Sequence, residues 1–265
     1  MAADTPTNTP IDSSPVILEL VDFDMRGLSE PIRYLLQYLK LDFKDTRIRF
    51  KGAGADFAEN WLEQKYNHSL DFPNLPFFSD EEVKITDSLA IIRHIARKHN
   101  LAGETSKDIA TIEMVEGAVN DLRWGFFVLV SAPNYSSIVE DYKLTIPARL
   151  GELNNFIKSN QYVAGSKITY VDFLVFETLD WFRELSPESF EDSAVENLKA
   201  YMSRIEAIAE IRDYRNSDEF KNRPLFSPVA HFGYSKDASF TPIIFSYRNF
   251  VAKYPIDVDE YFYSN

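Results

Sequence analysis

The sequence predicts a small α/β domain followed by an all-helical one, on three observations. Strand-like and helix-like patterns alternate from Val16 to about His99. Beyond Asn100 the strand signals stop and long helical periodicities take over. The most apolar of these, about Val171 to Leu185, follows Thr169-Tyr170-Val171-Asp172, a capping box with Asp in the acidic place, and reads as the core of the second domain. At 265 residues, 45% hydrophobic and 14% aromatic, the chain suits two small domains or one large one with a substantial core.

In order, Val16 to Asp22 is a short apolar strand. Ser29 is placed to cap a helix whose first turn tolerates Pro31. Ile32, Leu35, Leu36 and Leu39 follow at i, i+3, i+4 and i+7, one buried stripe. Thr46, Ile48 and Phe50 alternate with Arg47 and Arg49, as in a half-exposed strand. After a loop with Gly52 and Gly54, Trp61 to Tyr66 reads as a short helix. Phe77-Phe78 and Val83 to Ile85 flank a turn at Asp80-Glu81-Glu82, the pattern of a hairpin, and a helix from about Ser88 to His99 closes the unit. Helical stretches then run over about Ser106 to Val130 and Asp141 to Asn160, with shorter ones between Ser193 and Arg215. There are no internal repeats.

Composition narrows the function classes. Without cysteine the chain has no disulfide, thiolate metal site or cysteine nucleophile of its own. His68, His94, His99 and His231 show no metal-ligand spacing, so no metal is expected. A formal charge of -13 argues against nucleic acid and anionic membranes, which need a basic footprint. In the basic cluster Arg93, Arg97, Lys98 and His99, the last two sit at a helix end, where the macrodipole favours cations. No apolar run approaches the roughly eighteen residues of a membrane span. Residues 1–15 are polar, carry no signal-peptide pattern and read as a disordered leader.

Several stretches, in order, carry a resemblance. Asp24-Met25-Arg26-Gly27-Leu28 with Glu30-Pro31-Ile32-Arg33 resembles the first strand-to-helix turn of mu- and sigma-class glutathione transferases. Leu70 to Phe77, Lys84-Ile85-Thr86 and Ile95 to Leu101 resemble the mu class closely. Ala164 to Phe173 looks like that family's helix-capping segment, and Arg223-Pro224-Leu225-Phe226-Ser227 like its C-terminal run. The resemblance covers about 16 to 236. It implies a thioredoxin-like glutathione-binding domain over 16–99, an all-helical domain over 106–236 and an extension over 237–265 beyond the family's usual end.

The same resemblance assigns a glutathione site. The family's catalytic tyrosine, which donates to the sulfur, aligns with Asp22. A free thiol has a pKa of about 8.5 and must be lowered to give thiolate at neutral pH. An ionised carboxylate cannot donate; at about 4 Å and an effective dielectric of about 20 it costs the thiolate roughly 4 kcal/mol, which corresponds to a rise of about 3 in the thiol pKa. Only a protonated Asp22, with a pKa raised by burial, imitates the tyrosine. Retained are Trp61 and Lys65 toward the glycyl carboxylate, Asn74, Leu75 with its backbone groups toward the cysteinyl part, a cis Leu75-Pro76 bond, Ser88 at a helix start toward the γ-glutamyl carboxylate, and Asp121 reaching across a dimer. Changed are the family's tryptophan to Phe23, its arginine to Ala58, the glutamine beside the serine to Asp87, and a second tyrosine to Ser131. Asp87 could contact the ligand's ammonium but sets a negative charge beside the carboxylate pocket. Without a ligand, Trp61 also suits packing and Lys65 a solvated face.

Phe72 matches the aromatic key of the family's dimer interface and Arg93 and Arg97 its central arginines, implying a homodimer or a heterodimer with a related subunit. The extension is rich in Phe, Ile and Tyr, so it is expected to pack back on the helical domain or dock a protein partner. The expectation is a cytoplasmic transferase-like protein whose catalytic centre has decayed into a binding or structural component. The alternative is a weak but working enzyme that conjugates glutathione to electrophiles or uses it for peroxidase or isomerase chemistry.

Overall fold

The central strand, β1 (Leu18–Phe23), alternates between two apolar layers, and that alternation organises the first domain. Leu20 joins the large core with Ile32, Leu35, Ile91 and Ile92, while Val21 packs with Ile48, Trp61 and Phe77 on the other face. The structure is a computed structural model that describes residues 18–51, 57–158 and 160–234. The leader 1–15, the glycine loop at 52–54 and the extension 237–265 lie outside the described residues.

β1 runs parallel to β2 (Phe43–Ile48), with Leu18 opposite Phe43 and Phe23 opposite Ile48. On its other side it pairs antiparallel with β3 (Phe77–Ser79), which pairs with β4 (Lys84–Thr86), giving the order β2-β1-β3-β4. The hairpin turn is closed by Asp80, whose Oδ1 accepts from the amides of Glu82 and Val83. Between strands lie α1 (Glu30–Tyr38), α2 (Glu59–Leu62) with a 3-10 turn at Lys65–His68, and α3 (Ser88–Lys98) after β4.

The helical domain contains α4 (Ser106–Ser131), α5 (Tyr135–Ile157), α6 (Tyr170–Leu185), α7 (Glu196–Glu206), α8 (Ala209–Asn216) and α9 (Asp218–Lys221). Helix α6 is the core, with every residue from Tyr170 to Phe182 buried. Its capping box is present: Thr169 N–H donates to Asp172 Oδ2 at 2.8 Å. No helix among the described residues is long and apolar enough to cross a membrane.

Several elements depart from the sequence expectation: β2 is Phe43–Ile48, offset from the alternation at Thr46–Phe50, and the stretch Trp61–Tyr66 is divided between α2 and the 3-10 turn. Helix α5 begins at Tyr135, well before Asp141, because its first turns have tertiary partners: Tyr135 stacks on His231 at 5.4 Å and Val139 is buried. Ser29 stands at the N-cap of α1 but makes no capping hydrogen bond; its hydroxyl donates to Asp22 instead.

The two domains are joined by buried charge. Arg26, in the turn after β1, donates from Nε and Nη2 to the two carboxylate oxygens of Glu177 at 3.0 and 2.7 Å, and from Nη2 to Asp180. The backbone amides of Arg26 and Gly27 donate to the carbonyls of Pro224 and Leu225 at 2.8 and 2.9 Å, so the run after α9 laces the turn to the helical domain.

Candidate active site

Strand alternation puts Asp22 on the same face as Leu20, beneath α1, and turns Phe23 to the opposite face. The end of β1, the turn Met25–Leu28, helix α2 and the loop before β3 enclose a cleft of about 300 Å³. It gathers Asp22, Phe23, Trp61, Lys65, Asn74, Leu75 and Pro76 from the expected set. The Leu75-Pro76 bond is cis. Ala58, Met25, Leu28, Leu62 and Phe127 complete the wall. Asp87, Ser88 and Asp121 lie outside it.

Asp22 is 2% exposed. Its Oδ2 accepts from the Ser29 hydroxyl and its Oδ1 from the Phe23 amide at 2.8 Å. Burial pushes its carboxyl from an ordinary 3.8 up to about 6, against the pull of Arg33 and Ser29. With that value about one molecule in ten is protonated at pH 7, so the tyrosine-like state is a minor one at neutrality.

A raised carboxyl pKa is a stability statement. Below pH 3.8 the group is protonated folded or unfolded; as pH rises through about 6 the folded chain must hold a buried carboxylate and stability falls. The rise from 3.8 to about 6 corresponds to at most about 3 kcal/mol. Asp22→Asn keeps an acceptor for Ser29 and removes the charge. Urea unfolding is expected to find it more stable than the parent at pH 8, by up to about 3 kcal/mol, with the gain shrinking toward zero at pH 3.5. A pH-independent difference would refute the assignment.

Trp61 both lines the cleft and packs: it is 5% exposed, sits with Val21 and Phe77, and stacks on His68 at 5.6 Å. Lys65 is half-buried, 5.0 Å from the Tyr66 ring. Phe23 stacks on Phe50 at 4.9 Å and forms an aromatic edge.

Asp87 has a structural role in the chain itself. It is the N-cap of α3, at φ 77°, and its Oδ1 accepts from the amides of Leu89 and Ala90, both at 3.0 Å. The end of α3 where an anion would bind is thus already answered by a carboxylate of the chain itself. Asp87→Asn preserves the cap while removing the charge, and calorimetric titration is expected to show severalfold tighter glutathione binding. An unchanged affinity would place the γ-glutamyl group elsewhere.

The expected interface residues are arranged differently from one another. Phe72 is 80% exposed and Arg97 is exposed. Arg93 is committed within its own chain: Nε donates to Glu116 at 2.8 Å, Nη2 does so too, and Tyr170 donates to the same carboxylate at 2.6 Å. Asp121 is exposed on α4.

The sequence reading missed Ser29 as the partner of Asp22 and Phe127 as a cleft wall. Phe127 had a signal, being an aromatic on the longest helix, but nothing in the sequence says which face of α4 meets the turn after β1.

Comparison with known proteins matches this geometry. Family models for the glutathione S-transferase N-terminal and C-terminal domains match residues 19–97 and 131–218. The chain is 40% identical over 209 residues to the class-mu 26 kDa glutathione S-transferase isozyme 51 of Fasciola hepatica, covering 79% of this chain and 93% of that protein. It is 36% identical over 208 residues to glutathione S-transferase Mu 2 of Mus musculus, covering 78% and 94%. Among solved structures, the glutathione S-transferase Blo t 8 superposes with a TM-score of 0.76 at 33% identity, covering 82% of this chain and all of that one. The pi-class enzyme of Onchocerca volvulus gives 0.70 at 27% identity, covering 79% and 97%.

Proposed function

The chain belongs to the glutathione S-transferase family, and on that premise we propose that it binds glutathione in the β1–α2 cleft but ionises its thiol poorly at neutral pH. The observation that carries this is the Asp22 carboxylate lining the cleft where a hydrogen-bond donor to sulfur would stand.

A thiol and a carboxylate in contact share one proton near neutrality, and it rests on the stronger base. With a thiol near 8.5 and Asp22 near 6, the thiolate–carboxylic acid arrangement lies roughly 3 kcal/mol above the thiol–carboxylate one. That leaves well under one percent thiolate by this route, less than the few percent of a free thiol at pH 7.

In this reading Trp61, Lys65, Asn74 and Leu75 hold the tripeptide, and its γ-glutamyl end is taken by Ser88 of the same chain and by Asp121 reaching across from a neighbouring subunit. The protein is a cytoplasmic binding or structural component, dimeric with itself or a related chain through Phe72, Arg93 and Arg97. The exposed Phe72 ring and the exposed Arg97 favour the dimer.

The test is retention on immobilised glutathione together with turnover of 1-chloro-2,4-dinitrobenzene. Retention with negligible turnover is expected. Brisk turnover at pH 7 would overturn the weak-activation reading, and loss of both would overturn glutathione binding.

A further inference from the structure

Four arginines are buried among the described residues, and three of them face carboxylates. Arg26 holds Glu177 and Asp180, Arg33 holds Glu30 and Asp45, and Arg223 holds Glu30, Asp45 and Glu219. Arg123, on α4, is 3% exposed and has no ion pair among the described residues. Its Nη1 donates to Thr178 Oγ1 at 3.5 Å and its Nη2 to the Gly27 carbonyl at 3.4 Å, both long for such bonds. The guanidinium lies 4.3 Å from the Trp181 ring centroid. Glu177 is the acid it feels most, but both oxygens of that carboxylate are taken by Arg26, and Oε1 also accepts from Trp181 Nε1 at 2.7 Å. Burial pulls Arg123 down to about 10, which leaves it charged at neutral pH.

A buried cation without an anion is costly, so its surroundings indicate what would answer it. Its acceptor Gly27 lies between Met25 and Leu28, and Phe127 follows one turn along α4; all three of these side chains line the cleft. An apolar wall that separates a charge from a cleft transmits its field with little screening. Lys65, Asn74 and the Asp22 carboxylate line the same cleft, and Asp22 opposes an anion there, so the part of the preference owed to Arg123 is the part that its substitution removes.

We infer that Arg123 sets the charge preference of the apolar end of the cleft, so that it favours acceptor molecules bearing a carboxylate or similar anion on an aromatic ring over neutral analogues of the same shape. As a statement about the transferase acceptor this rests on the proposed glutathione reading; as a statement about binding it stands on the cleft alone. Arg123 acts here through the wall, as a specificity-determining residue.

The probes are 4-chloro-3-nitrobenzoate and 4-chloro-3-nitrobenzamide, which differ in charge and hardly in shape. Dissociation constants are measured by calorimetry on the full chain, with and without S-methylglutathione. The unmodified protein is expected to bind the benzoate at least about fivefold tighter than the benzamide. Arg123→Gln is expected to abolish the preference, and Arg123→Lys to keep it. Equal or tighter binding of the benzamide by the unmodified protein overturns the inference, and needs no variant to fold. So does an unchanged ratio in an Arg123→Gln protein that unfolds cooperatively. A benzoate preference that depends on Arg123 in a protein that does not bind S-methylglutathione supports the inference and overturns only the glutathione reading. Binding of S-methylglutathione without the preference does the reverse.

Discussion

The double variant Asp22→Tyr, Ser29→Ala is expected to raise turnover of 1-chloro-2,4-dinitrobenzene with glutathione at pH 7 by at least about 100-fold. The reasoning is electrostatic. A like charge at contact costs the thiolate roughly 4 kcal/mol at an effective dielectric of about 20, and 1.36 kcal/mol is tenfold in rate, so removing the carboxylate alone has an upper bound near a thousandfold. A phenol adds a donor where none exists. Ser29 is changed too because its hydroxyl, 0% exposed, donates to Asp22 and would lose its acceptor. The readout that separates activation from binding is the ionisation of bound glutathione, followed as thiolate absorbance against pH. A large fall in its apparent pKa should accompany the gain in rate. If glutathione binds the variant as before yet the thiol still titrates as it does free in solution, the site is limited by something other than Asp22. Failure of the variant to bind glutathione would instead implicate Ala58 and Asp87.

Arg26→Met is expected to cost the protein about 3–5 kcal/mol of stability, a fall in Tm of roughly 10 °C. Glu177 is 0% exposed, and burial already pushes its carboxyl up against the opposing pull of Arg26. Removing the guanidinium leaves it one donor, the Trp181 N–H. Asp180 is different: burial opposes its ionisation, but Arg26, Arg215 and Arg183 together hold it well below the usual carboxylate range. Two of those arginines survive the substitution, so the loss should come mainly from Glu177. Arg26→Met with Glu177→Gln therefore tests the argument: the second change should recover part of the stability. If the double variant is no better than the single one, the penalty comes from lost packing of the long side chain against Phe220, 4.9 Å from the guanidinium.

These two predictions rest on unequal information from the sequence. Asp22 was legible as an anomaly, because an acid stands at the end of an apolar strand where the resemblance calls for a phenol. Its protonation was not legible. Whether the carboxyl sits near 4 or near 6 depends on how deeply α1 covers it and on the Ser29 hydroxyl turning inward, and both are contacts between separate elements. The same holds for Asp87: its letter does not say that its side chain accepts from the amides of Leu89 and Ala90 and so caps α3.

What the sequence by itself determined is the architecture. The apolar run of β1, the apolar stripe of α1, the capping box before α6 and the ordered motifs from Asp24 to Ser227 are all local patterns, and local patterns survive in one dimension. Only the tertiary structure decided which charges are buried and whom they face. Arg26, Arg123 and Arg223 read alike as single letters, yet two hold carboxylates and one holds none. Burial and pairing are set by residues distant in the chain, such as Glu177, 151 positions beyond Arg26, and periodicity carries no record of them.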